Sequence, residues 1–406
     1  MALEGELKVH LRLAGLRVAA VGIQSTRPDV AQRLLRGRTR AEVVAAVPQI
    51  FSLCGRSQAA ASALACDAAA GLLPTAAGLA GAAQAVAAEV VRESTWHTLL
   101  QWPRWLGEAP TADALAAARA STTFQTAAAS AGAAQAIAQA VFGMDAGAWL
   151  GLQSAAALAG WAQNGSTGAA RFIAQMAALD AAWPGTLPQA APMSAPMSAP
   201  MPAPVPAPMP APMTALRQGP APLPADLPAR FPALLPAQAH ASWVAELAAA
   251  ADADPGFAQQ PLWRGQPAET GALARRQHAP LIQALLQGGR SRVAARFVAR
   301  LQELALLLSG GMQPALGALT LADGSGLAWV ENARGLLLHQ AWLAGDRVLR
   351  YRIVAPTEWN FHRSGALVSA LTQAPANDTA ALQRQAQCLI HSLDPCVACQ
   401  VECFDA

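Results

Sequence analysis

The chain has 406 residues, with 28 Lys and Arg against 25 Asp and Glu, a formal net charge of +3 at pH 7. Charged residues make up only 13% of it and form no long run of either sign, which excludes a surface built to grip phosphate backbones; nucleic acid is not an expected partner. Hydrophobic residues reach 53%, but the excess is alanine broken by Gln, Glu and Gly, as in residues 76–91 and 127–141, so these stretches read as closely packed helices with no membrane span.

The first residues carry neither a basic leader nor an apolar run, so no secretory signal is expected and the expected compartment is the cytoplasm. Leu7, Val9, Leu11 and Leu13 alternate with Lys8, His10 and Arg12, and Ala14-Gly15 leads into a second apolar run to Ile23, the pattern of a half-buried β-hairpin. From Arg27 the period lengthens. Thr39 with Glu42 three residues later predicts a capping box before Val43, Val44 and Val47, and the pattern stays helical to about Trp183.

Residues 188–228 are built from repeats such as PMSAPMSAPMPAPVPAPMPAPM, where each proline removes an amide donor and disfavours α geometry in its predecessor. This predicts an extended linker or tolerated insertion, compatible with a polyproline-II spacer or a docking strip. Helical patterns return at 241–250 and 279–308. Strands are predicted at 327–330, 335–343 and 347–354, the last two joined by a turn at Ala344-Gly345-Asp346, and a helix at 380–393 leads to the cysteine-rich end. The expected architecture is mainly α with small antiparallel β elements, in an N-terminal half (1–186), an insert (187–240) and a C-terminal half (241–406) that completes the same core.

Six cysteines fall in two clumps, Cys54 and Cys66 against Cys388, Cys396, Cys399 and Cys403, which favours metal or redox chemistry over a disulfide framework. In Asp394-Pro395-Cys396-Val397-Ala398-Cys399, Asp394 suits an N-cap and Pro395 a first helical position. That predicts a short helix with Cys396 in its first turn, Cys399 one turn on, and Cys403 on the same face. Two thiolates so placed fit half a zinc site, a redox pair or a soft anchor for iron.

Several motifs in order resemble those of nickel–iron hydrogenase large subunits. Leu3-Glu4-Gly5-Glu6 is similar to the RIEGH start, Leu53-Cys54-Gly55-Arg56-Ser57 to RxCGxC, and Glu269-Thr270-Gly271-Ala272-Leu273-Ala274-Arg275 to EVGPLAR. Glu331-Asn332-Ala333-Arg334-Gly335-Leu336 with His339 resembles EAPRGALGH, Pro356-Thr357-Glu358-Trp359-Asn360 resembles PTTWN, and Asp394 to Cys399 matches the terminal DPCxxC. The resemblance implies the large-subunit fold, in which the two cysteine pairs meet and hold nickel and an iron carrying two cyanides and one carbon monoxide.

This sequence departs from the family on the nickel side. Ser57 stands for the bridging second cysteine, Ala61 for a nearby histidine, Glu6 for the histidine of RIEGH and Glu402 for a terminal histidine; only Cys403 to Ala406 follow. A hydroxyl is a harder and far less acidic ligand than a thiol, so no nickel and no hydrogen turnover are expected. The iron side is retained: Cys396 and Cys399 match its cysteine pair, Cys54 the first cysteine, Arg334 an arginine beside the diatomic ligands, Pro356-Thr357 the segment that binds a cyanide, and Glu4 a carboxylate near the metals.

A large-subunit relative with the iron side kept and the nickel side eroded resembles the HupK/HoxV group of hydrogenase maturation proteins. The implied role is a non-catalytic scaffold that receives Fe(CN)2CO from the iron-carrying chaperones and passes it to the large-subunit precursor. The alternatives are a cofactor-free interaction scaffold and a divergent hydrogenase. Cys66 and Cys388 read as buried small hydrophobes. His97 stands where the family has a His-rich helix, and a packed cluster with Trp96, Trp102 and Trp105 explains it equally well; His391 reads as a core or capping residue.

Overall fold

The computed structural model describes residues 5–26, 30–182, 232–287 and 292–405. Glu4 and the repeats of 188–228 lie outside the described residues. The alternation of the first strand pair gives β1 (Glu6–Ala14) and β2 (Arg17–Ser25), antiparallel, with Leu7, Val9, Leu11 and Leu13 turned into the core. The predicted capping box closes on the helix Arg40–Ile50, where Thr39 and Glu42 each accept the other's amide.

Helices dominate up to Ala182, and the longest of them is Ala76–Trp96. It runs on into a single π-turn at His97–Gln101, just before the buried Trp102. After residue 231 come β3 (Ala233–Leu234) and β4 (Ala268–Glu269), a short parallel pair. The helical pattern over 279–308 forms two helices, Pro280–Leu286 and Val293–Leu308, with Gly288 and Gly289 between them in sequence. Glycine is the poorest helix former after proline, so an apolar period that runs through the pair does not hold one helix together.

An antiparallel four-stranded sheet comes next, in the order β5 (Leu316–Thr320), β6 (Gly326–Asn332), β7 (Gly335–Ala344) and β8 (Arg347–Val354). The sheet was expected from 327 onward; β5 is an addition. The helix Gly55–Ala69 lies flat on β6, so close that a Cβ on Gly326 would strike the backbone of Ala65 and Ala69.

The chain ends in a way the sequence reading misplaced. The helix Thr379–Leu393 stops at Asp394, which takes a left-handed conformation (φ 55°), and residues 398–405 form β9 (Ala398–Asp405). Cys396 and Cys399 are therefore on a loop and a strand and share no helical turn. β9 pairs in parallel with β1, Leu7 opposite Cys399 and His10 opposite Glu402, so the small sheets are not all antiparallel. The pairing wins because it satisfies a ladder of backbone groups, where an isolated short helix satisfies few.

One large core cluster draws on both halves of the chain. At its centre Trp102 stacks on Phe172 (ring centroids 4.5 Å) while Phe297, from the C-terminal half, meets both edge-on at 5.2 and 4.9 Å. All three are almost fully buried, so truncating any of them to alanine costs about 3–5 kcal/mol.

A candidate metal-binding recess

Four separate segments bring the site together. Cys54 closes the 3-10 turn Ser52–Cys54 at the start of the helix Gly55–Ala69, and Gln58 Nε2 approaches its sulfur at 3.6 Å. Arg334 sits in the tight turn between β6 and β7, where Asn332 Oδ1 accepts the amides of Arg334 (2.9 Å) and Gly335 (3.1 Å). Pro356 starts the short helix Pro356–Asn360, which buries Thr357. Cys396 lies just past the end of the helix Thr379–Leu393.

Asn360 ties these together. Its Oδ1 accepts the Thr270 amide at 2.9 Å, and its Nδ2 donates to the carbonyls of Arg334 (3.4 Å) and Leu393 (3.3 Å). Thr270 Oγ1 in turn accepts the Leu336 amide at 2.9 Å. A single buried amide thus fixes the spacing of three motifs that are distant in sequence.

Between them lies an open recess lined by Cys54, Arg334, Pro356, Thr357 and Cys396, with Phe51, Leu53 and Val397 as its apolar wall. Thr357 Oγ1 is 3.0 Å from Cys396 Sγ. Of the residues singled out from sequence, Cys399 is not part of this lining: it sits on β9, its sulfur 3.7 Å from the Val397 carbonyl. Burial, with Cys396 and Glu6 adding to it, pushes its thiol up to about 12. Burial likewise pushes the Cys54 thiol up to about 12, helped by Glu89 and Cys396 and opposed by Arg334.

Behind the recess is a cluster of buried charges that sequence reasoning overlooked. Arg334 Nη1 donates to Glu93 Oε2 at 2.6 Å, with both side chains almost fully buried. Burial raises the Glu93 carboxyl to about 7, Arg334 pulls it down, and Glu89 and Asp394 add to the rise. Burial pushes the Asp394 carboxyl up, but Arg300 at 3.5 Å, His97 at 3.5 Å and Arg334 outweigh it and leave it lowered. The only sequence signal for Glu93 was two acids, Glu89 and Glu93, one turn apart on an Ala-rich helix.

Ser57 is not part of the lining of the recess. Its hydroxyl and its amide both donate to Glu89 Oε1, while the Arg56 amide donates to Oε2 at 2.7 Å. Burial raises the Glu89 carboxyl against these bonds. Glu402 meets His10 across the β1–β9 pair at 3.5 Å, Cys388 contacts the Met176 sulfur in the core, and His391 packs on Trp105. Among the described residues no group of three or more His, Cys, Asp and Glu converges as a metal site.

The recess therefore lacks the donors to complete a cage around a bare ion. What it has are two soft sulfurs, a hydroxyl, and a guanidinium whose Nε is buried without a hydrogen-bond partner. That set fits a soft metal which arrives with most of its ligands already bound and with negative charge at its outer atoms.

Residues 312–402 match the family model of nickel-dependent hydrogenases. The structure superposes on the reduced Ni-Fe-Se hydrogenase of D. vulgaris Hildenborough with a TM-score of 0.55 at 15% identity, over 95% of this chain and 94% of that one, a likeness of fold alone. The chain is 38% identical over 180 residues to the hydrogenase expression/formation protein HoxV of Cupriavidus necator, a match spanning 40% of this chain and 45% of that protein. It is 30% identical over 409 residues to the hydrogenase expression/formation protein HupK of Rhizobium leguminosarum bv. viciae, covering 99% of this chain and 97% of the relative. With that full-length match and the large-subunit fold, the chain belongs to the HupK/HoxV family of hydrogenase expression/formation proteins.

Proposed function

We propose that the chain is a non-catalytic scaffold of nickel–iron hydrogenase maturation that holds Fe(CN)2CO as cargo in the recess and passes it to the large-subunit precursor. The observation that carries this reading is the meeting of Cys54 and Cys396 with Arg334 and Thr357 in one recess. Iron(II) with two cyanides is neutral, and each thiolate bound to it adds a negative charge. The Arg334 guanidinium and the Thr357 hydroxyl supply donors for the cyanide nitrogens, and the apolar wall keeps the donors strong by excluding water. Cys399, outside the lining but close enough to Cys396 for the charge there to oppose its own, is the reserve thiol for a second bond from the same segment.

The iron unit comes from the cytoplasmic maturation machinery in this reading: chaperones deliver it, and the large-subunit precursor removes it. Nickel is not expected in this reading, since Ser57 stands where a bridging thiol would be needed and its hydroxyl is engaged by Glu89. Among the described residues no helix is long and apolar enough to cross a membrane.

The test is anaerobic isolation of the full chain from cells with intact maturation machinery, with infrared spectroscopy as the readout. Bands of metal-bound cyanide and carbon monoxide are expected, lost in Cys396→Ala and weakened in Arg334→Met. A band-free wild type whose Cys54→Ala/Cys396→Ala variant still supports hydrogenase maturation would overturn the reading. So would stoichiometric nickel with hydrogen-dependent dye reduction.

A further inference from the structure

Arg334 is paired in a manner that differs from Arg275 and Arg296. Arg275 donates to Glu303 through Nε and Nη2 (2.6 and 2.7 Å), and Arg296 donates to Glu269 through Nε and Nη2 (2.7 and 3.0 Å). Each closes the two-pronged fork that a guanidinium and a carboxylate form when neutralising one another is their whole task. Arg334 reaches Glu93 through Nη1 alone, and both Arg334 Nε and Glu93 Oε1 are buried with no hydrogen-bond partner. Leaving such atoms unbonded is costly, because each gives up its water without gaining a partner. The backbone on either side gives Arg334 little freedom to rearrange, because Asn332 holds its amide and Asn360 its carbonyl.

We propose that Glu93 is a positioning residue that limits how tightly Arg334 grips an anion in the recess: its carboxylate occupies Nη1, fixes the guanidinium, and leaves Nε as a free donor. For the cargo, this inference rests on the proposed holding function; for a simple anion it stands without it. A guanidinium with all its donors free against an anionic ligand in a water-poor pocket releases that ligand slowly. A competing carboxylate at 2.6 Å takes part of the charge back and shortens the hold. Glu93 is itself an uneasy occupant, since Glu89 on its own helix and Asp394 from the end of the helix Thr379–Leu393 both repel it. An incoming anion therefore meets a partner that yields, which suits a carrier more than a permanent holder.

The experiment uses the cargo-free full chain, made in cells lacking the iron-delivering machinery, and thiocyanate as probe, a linear monovalent anion whose nitrile stretch reports binding in the infrared. Glu93→Gln keeps an oxygen to accept from Nη1 but removes the charge, and about tenfold tighter thiocyanate binding is expected. Arg334→Met abolishes binding, and so does the Glu93→Gln/Arg334→Met double variant. Equal or weaker binding by a folded Glu93→Gln chain overturns the proposal, as does a gain that survives in the double variant or the absence of thiocyanate binding in all variants. If Glu93→Gln does not fold, Glu93→Ala, which also removes the charge, is read with the same expected direction.

A second arm uses chain loaded in vivo. Mixed with large-subunit precursor, Glu93→Gln is expected to keep its cyanide bands longer than wild type. Wild type without cyanide bands counts against the holding function and leaves the thiocyanate result to decide the role of Glu93.

Discussion

Replacing Gly335 with alanine tests whether the recess depends on the close approach of two motif segments. Gly335 has φ +135°, a conformation closed to L side chains, and a Cβ there would strike Thr270 Cγ2 and lie 2.6 Å from its Oγ1 and 2.8 Å from the Gly271 amide nitrogen. Backbone strain contributes about 1–3 kcal/mol and the overpacking a similar amount, and displacing Thr270 endangers its bond to the Leu336 amide, about 1 kcal/mol more. Because these share one contact they do not simply add, and a loss of about 3–5 kcal/mol is expected. Set against a typical stability of about 5–15 kcal/mol, that is a large share. Urea unfolding monitored by the fluorescence of the 11 tryptophans measures it. Gly345→Ala is the control: it also has positive φ (+58°), but its Cβ would meet nothing within 4 Å, so it costs about 1–2 kcal/mol. A Gly335→Ala loss no greater than that of Gly345→Ala would refute the reasoning.

Two other outcomes are expected from the buried titratable groups. Burial lowers His339 to about 3, so between the ordinary histidine pKa near 6.5 and that value the unfolded chain binds the extra proton and the folded chain does not; the stability that neutral His339 contributes is whole above pH 6.5 and is lost as pH falls. The advantage of wild type over His339→Asn in urea unfolding is expected to shrink by about 1.4 kcal/mol per pH unit below 6.5, and a pH-independent difference would contradict the burial argument. Cys54 and Cys399, both pushed up to about 12, are expected to label with iodoacetamide at pH 8 far more slowly in the folded chain than in urea, as read by peptide mass spectrometry; equal rates would contradict their burial.

Local signals were legible where the physics is local. The hairpin of β1 and β2, the Thr39–Glu42 cap and the β7–β8 turn were all set by neighbours a few residues apart. The end of the chain was not, because Asp394-Pro395 carries the composition of a helix start and yet is used as a helix stop. Asp394 turns its carboxylate to Arg300 and His97, and residues 398–405 pair with a strand near the other end of the sequence. Arg334, Thr357, Cys54 and Cys396 line one recess, whereas Cys399 falls outside the lining because it sits on β9 and shares no helical turn with Cys396. Glu93 escaped notice since its partner lies 241 positions away, and two acids one turn apart on an alanine-rich helix give no hint of what they face.

The parallel β1–β9 ladder has a consequence for when the protein becomes competent. It joins segments about 390 positions apart, so it is among the last contacts a growing polypeptide can make, and non-local pairings of this kind are slow. Cys396 leads directly into that strand. A ribosome-bound intermediate already carrying Cys54, Arg334 and Thr357 thus lacks Cys396 and Val397, and the recess is incomplete until the segment leading into β9 has emerged.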